Sequence, residues 1–283
     1  MLNATRRTRT YLYVGLAVVF LWALLPYLWM IRTSILTNFA AISTDTPYIP
    51  FFGAMDTITL EPFFNVWERS NFPLFFRNSI IVALAATVIS LFFSIPGAYA
   101  FARLDFPGRQ LLFYTAVFTI MFPWIVLTIP VYEVFFNLGL VNTLLGVIIA
   151  ISIFILPQNI WLLQGFFRQG IPPNIEEAAL LDGLNEITAF IRIVLPLSAP
   201  AIGAAALFSF LSGWNNFLWV FILTSDEEVR TATVAIHYIL GSDTLREWNL
   251  LMAAVVILVL PPVIFYGLAQ NYVGEGLGGG PAG

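Results

Sequence analysis

Glu176, Glu177, Asp182, Glu186 and Arg192 stand together in Pro172–Pro196, PPNIEEAALLDGLNEITAFIRIVLP, between two strongly apolar segments. Carboxylates in this setting suit charge-assisted contacts with arginine or lysine across an interface, and Glu177, on a first helical turn, is best placed for one. Catalytic chemistry has little to build on. The chain has no cysteine, hence no disulfide, thiolate nucleophile or thiolate metal site, and its one histidine, His237, is isolated in a loop.

The spacing predicts two short helices in this stretch. Pro172 and Pro173 end whatever precedes them, Asn174 is a good N-cap, and Glu177 three residues later completes a capping-box-like pair. Ile175 to Asp182 then makes about two turns, and Gly183 is placed to take the left-handed conformation after the helix end. A second helix starts near Asn185 and runs toward Pro196. Two turns are not stable alone in water, so the first helix packs on its own bundle or docks into another protein. Ala178 and Ala179 favour docking, because small side chains let a partner approach the backbone closely.

The elements around it must be membrane spans. Of 283 residues, 59% are hydrophobic, 16% aromatic and 10% charged, with a mean hydropathy of +0.88. Soluble domains carry about 25% charge, so this chain could not cover a globule with polar surface. All 12 basic residues are arginine, the formal charge is −4, and no basic tract suggests nucleic acid. With no lysine, the chain cannot hold the phosphate loop of an ATPase.

Six spans are expected, in an all-α polytopic protein. The first, Tyr11 to Ile31, is too long for a signal peptide and is read as uncleaved; with its arm it makes residues 1–34. Residues 35–74, with Asp45, Asp56, Glu61 and Glu68, form an ordered extracytoplasmic loop. Further spans follow near Phe75–Phe101, Leu111–Phe136, Leu144–Phe166, Ala199–Leu223 and Leu250–Tyr272, with Pro96, Pro123, Pro130, Pro157 and Pro261-Pro262 bending them. Residues 273–283 are a Gly-rich tail without structure of its own. Arg6, Arg7 and Arg9 before the first span place the N-terminus, the charged stretch and the C-terminus in the cytoplasm; overall seven arginines fall inside and five outside.

Two other polar groups could carry function. Ser209, Ser212, Trp214, Asn215 and Asn216 cluster in the fifth span, where an aromatic face and amides suit a sugar. Hydrogen bonding between helices is the alternative for the same residues. Asp226, Glu227, Glu228, His237 and Asp243 lie in the loop Thr224–Asn249, which either meets an extracytoplasmic partner or is simply solvated.

Several stretches together resemble one family. EAA, two residues and then DG, followed by Ile193, Leu195 and Pro196, is similar to the EAA loop of ABC importer permeases. Asn78-Ser79, AYAFARLDFPGR from Ala98 to Arg109, Pro130 through Gly139-Leu140-Val141-Asn142-Thr143, WLLQGFFRQ from Trp161 to Gln169, and Trp214-Asn215-Asn216-Phe217-Leu218 resemble the carbohydrate-uptake branch. The resemblance covers about Phe75 to Tyr272, with the first span and loop also fitting, and is specifically to the smaller permease of the maltose type. Gln169-Gly170 looks one residue longer than usual, and Glu275 stands in a tail that is often basic.

The resemblance implies the transmembrane fold of a type I ABC importer and a division of labour. Residues 172–196 would be the coupling loop, in which Glu176, Glu177, Ala178, Ala179, Leu181, Asp182 and Gly183 dock on a cytoplasmic ATPase. The partners implied are a second permease, two ATPase copies holding ATP and magnesium, an extracytoplasmic binding protein and membrane lipid. This chain itself would bind no cofactor or metal and would not be an enzyme. The principal rival is an ion-coupled secondary transporter, which usually buries ionisable groups at mid-membrane; the predicted span interiors here hold essentially none.

Overall fold

A computed structural model describes residues 6–43, 57–69, 71–241 and 247–277. Among these residues the chain is helical, with no strand beyond one isolated antiparallel bridge, Leu36 to Ile58. It divides into two compact units, one of residues 1–72 and 236–259, the other of residues 73–235 and 260–283.

The first unit contains α1 (Arg6–Ser34), α2 (Asn38–Ile42), α3 (Glu61–Arg69) and the start of α14 (Trp248–Leu277). Much of the expected loop is therefore ordered. The bridge is closed by Thr37 N–H to Thr57 O at 2.8 Å and Thr59 N–H to Ile35 O at 2.7 Å. Asn249 donates to Leu36 O at 3.0 Å. Asp45 and Asp56 lie outside the described residues.

The second unit is built on α4 (Phe72–Arg103), α7 (Leu144–Gln169) and α11 (Ala199–Trp214). Each buries a row of residues four apart, the ridge along which helices interlock. On α7 the row is Val147, Ile151, Ile155, Asn159, Leu163 and Phe167, and on α4 it is Asn78, Val82, Ala86, Ser90, Ser94 and Ala98. On α11 it is Ala201, Ala205, Ser209 and Gly213. The rows of α4 and α11 are mostly Ala, Ser and Gly, which lets backbones approach closely in lipid. A methyl on Gly213 would lie 3.0 Å from Ala83 Cα, and one on Gly203 would lie 2.6 Å from Tyr272 Cβ.

Four helices are long and apolar enough to cross a membrane singly: Thr10–Ser34, Phe72–Arg103, Leu144–Gln169 and Trp248–Gln270. Two bent pairs raise the number to six if each is one span. The expected third span is broken into α5 (Arg109–Ile120) and α6 (Thr128–Asn137), with a 3-10 turn at Trp124–Leu127 and a bend of 98°. Pro123 is the cause: it lacks an N–H and forces the residue before it out of the helical region, and its own ψ is 113°. Pro130 causes no break, because it sits in the first turn of α6, where its missing donor has no partner to lose.

The expected fifth span is also two helices, α11 and α12 (Leu218–Leu223). Asn216 Oδ1 accepts from Trp219 N–H at 3.1 Å, satisfying a free donor of α12's first turn. The following segment is not simply a loop. It holds a 3-10 turn, Glu227–Val229, and α13 (Ala232–Gly241).

Candidate functional site

The charged stretch folds as α8 (Pro173–Leu181) and α9 (Glu186–Ala189), then a π-helical turn, Phe190–Val194, and α10 (Leu195–Leu197), which meets α11 at 73°. The start of α8 corrects the expected capping box. Pro172 is the N-cap and Pro173 the first helical residue, with no side-chain cap, so Asn174 lies inside the helix. Proline suits the first position because its absent N–H would have no partner there.

The end of α8 is as expected. Gly183 has φ +90°. Its N–H reaches Leu180 O at 3.0 Å and Leu184 N–H reaches Ala179 O at 3.1 Å, the paired bonds of a Schellman stop. Asn185 then caps α9, accepting from Thr188 N–H at 2.8 Å.

The seven residues named for docking divide between two faces. Glu177, Ala178, Leu181, Asp182 and Gly183 are exposed, Leu181 at 89%. Ala179 is buried in its own chain, and Glu176 is turned toward α4. Arg103 Nε lies 2.8 Å from Glu176 Oε1, Tyr99 Oη donates to Glu176 Oε2 at 2.8 Å, and Arg103 Nη2 donates to Ile171 O. Neither Tyr99 nor Arg103 was singled out as functional from sequence. The available signal was only their spacing of four on the last turns of a span.

The polar group of the fifth span is not one surface. Ser209 is buried and accepts from Asn159 Nδ2 at 2.7 Å. Trp214 is buried too, edge-on to Phe76 at 5.8 Å and stacked on Phe210 at 5.8 Å. Ser209 thus bonds between helices, while Trp214 packs by its ring against α4 and its own helix. Ser212 and Asn216 are half-buried and Asn215 is exposed. None of the five lines the groove of about 480 Å3 at the third-span break, whose walls include Phe118, Trp124, Leu127, Phe154 and Gln158.

Asp226, Glu227 and Glu228 are exposed on a firmly held turn. Asn142, at φ 60°, accepts from Ser225 N–H at 2.9 Å and Asp226 N–H at 3.0 Å, and donates to Asp226 Oδ2 at 2.6 Å. Asn78, fully buried, donates to Glu228 O at 2.8 Å and Arg230 O at 3.0 Å. Ser79 Oγ accepts from Ala232 N–H at 2.9 Å. His237 is in α13 rather than a loop, exposed beside Tyr238, and it belongs to the other compact unit. Asp243 lies outside the described residues, as do residues 278–283; the expected tail is corrected at its start, since residues 273–277 continue α14 to Leu277.

Comparison with known proteins places this arrangement. Residues 94–278 match the family described as binding-protein-dependent transport system inner membrane component. The chain is 34% identical over 275 residues to the trehalose transport system permease protein SugB of Mycobacterium tuberculosis, covering 97% of each. It is 32% identical over 274 residues to the trehalose/maltose transport system permease protein MalG of Thermococcus litoralis, covering 96% of each. Its fold matches a chain from the crystal structure of a bacterial ABC transporter involved in the import of the acidic polysaccharide alginate, with a TM-score of 0.81 and 24% identity over 96% of this chain and 100% of that one. An all-α polytopic chain with the EAA helix between its fourth and fifth spans, it belongs to the family of binding-protein-dependent transport system inner membrane components.

Proposed function

We propose that this chain is the permease subunit of an ATP-driven importer for a neutral sugar. It forms half of the membrane pathway beside a second permease and docks on a cytoplasmic ATPase through α8. The observation that carries the docking is the outward face of α8, where Glu177, Ala178, Leu181 and Asp182 are exposed on a helix closed by Gly183. A charged group beside a methyl suits a groove that offers an arginine or lysine and little depth. Hydrolysis belongs to the ATPase, where ATP and magnesium would bind.

Sugar is supported by the relatives, named for trehalose, for trehalose and maltose, and for diacetylchitobiose. A neutral one is supported by the chain itself, which sets no arginine cluster inside a span. Asn215, with Ser212 and Asn216 beside it, is the group left to face a solute. Asp226, Glu227 and Glu228 offer an acidic patch to the binding protein on the extracytoplasmic side. Arg6, Arg7 and Arg9 support a cytoplasmic N-terminus, and an even number of spans would return the C-terminus there.

Gentle purification from native membranes, with mass spectrometry of every chain recovered, tests the reading. A second permease and a nucleotide-binding ATPase are expected. This chain alone at every detergent strength would overturn it and restore the ion-coupled carrier.

A further inference from the structure

Adjacent glutamates on α8 face opposite ways. Glu177 is exposed, whereas the side chains of Glu176 and Arg103 are 14% and 13% exposed. Oε2 of Glu176 accepts a hydrogen bond from Tyr99, and Oε1 pairs with Arg103 by charge, at 2.8 Å, without a hydrogen bond. Tyr99 and Arg103 lie one turn apart on α4, so they grip the carboxylate from a single face. Arg103 also holds Ile171 O, just before α8. The Tyr99 ring meets Phe190 of the π-helical turn at 4.5 Å and Phe167 of α7 at 5.9 Å.

Apolar packing cannot do this work for α8. Its only buried side chain is the methyl of Ala179, and a two-turn helix is marginal without tertiary support. The ion pair is mostly shielded from solvent, so it is screened far less than a surface pair, and removing one partner strands the other charge. The pair therefore gives force applied to the outward face of α8 a stiff route into α4, through Glu176.

We infer that Glu176 is a positioning residue that makes α8 and the end of α4 move as one body during the transport cycle. This rests on the reading of α8 as the ATPase-docking helix. Glu177 receives the partner and Glu176 passes its motion inward. Tyr99 and Arg103 set where that motion arrives.

The test uses the intact complex purified with its ATPase. Nitroxide labels are placed at Leu104→Cys and Leu180→Cys, two exposed positions outside the docking residues in a chain with no cysteine of its own. Their separation is measured by pulsed spin resonance without nucleotide and with ATP trapped. On the otherwise unchanged chain it stays constant. In Glu176→Gln, which keeps the shape and the Tyr99 contact but loses the charge, it shifts on trapping by about 2 Å or more, the scale of helix displacements in switching proteins. Glu176→Asp, which keeps the charge, restores the constant separation.

A constant separation in Glu176→Gln would overturn the inference while leaving the docking intact. Loss of the ATPase from Glu176→Gln would also overturn it, by making Glu176 a docking residue. Failure of the unsubstituted chain to bring down any ATPase would remove the docking reading, and this inference with it.

Discussion

Asn159 donates through Nδ2 to Ser209 Oγ at 2.7 Å, and the two residues are 1% and 0% exposed. The proton of Ser209 is already committed to Ala205 O at 2.8 Å, and that of Ser90 to Thr87 O at 3.1 Å. Both hydroxyls can then only accept from Asn159, which lies 3.4 Å from Ser90 Oγ as well. One amide thus ties α4, α7 and α11 at the middle of their buried rows.

Asn159→Leu should lower the unfolding temperature in detergent, by a free energy of about 0.5–2 kcal/mol for a membrane hydrogen bond and its knot. Asn159→Asp should cost more. A carboxylate has no donor for the two hydroxyl oxygens, and ionising it in the core is penalised.

Ser94 follows Ser90 on the same row and is also fully buried, yet among the described residues its hydroxyl has no hydrogen-bond partner. Ser94→Ala should therefore be neutral or stabilising by up to about 1 kcal/mol, while Ser90→Ala is destabilising. Paired melting curves under one detergent condition check the difference in sign.

Gly146→Ala should destabilise by about 1–3 kcal/mol, the usual cost of overpacking. An added methyl would sit 2.1 Å from Leu140 O, and that carbonyl is held in place by the Thr143 hydroxyl at 2.7 Å. Gly165, with nothing within 4 Å of such a methyl, is the control: Gly165→Ala should melt at or slightly above the unchanged chain.

Glu177→Arg should leave the chain inserted at normal abundance while ATP hydrolysis no longer drives uptake. Gly183→Pro should act similarly, because it removes the bond to Leu180 and demands a negative φ where the backbone has +90°. Membrane abundance measured beside ATPase and uptake rates distinguishes this from a folding defect. Loss of the protein from the membrane would make these positions structural.

Local chemistry was legible in the sequence, and long-range chemistry was not. Gly183, and the start of a helix near Asn185, could be read because a left-handed stop and a helix start are decided within a few residues. Asn174 was misread as a cap because Pro173 can itself begin a helix. Four spans followed from apolar length, and six if each bent pair is one span, but which proline breaks one did not: Pro123 and Pro130 differ in their distance from a helix start. The Tyr99–Glu176 bond joins residues 77 positions apart, so nothing local points to it. Asn78, Ser79 and Asn142 were visible as motif letters. Their work, holding the turn at 224–232, needed the structure.

None of the most apolar window of α1 is buried within the chain, against half of that of α7. That contrast bears on biogenesis. A span whose apolar window is left uncovered by its own chain can leave the insertion machinery for lipid as soon as it is made. The helices carrying the Asn159 knot must wait for one another, since α11 is synthesised last of the three. Assembly thus has an early anchoring step that is indifferent to errors in the core, followed by a late one in which those errors are exposed.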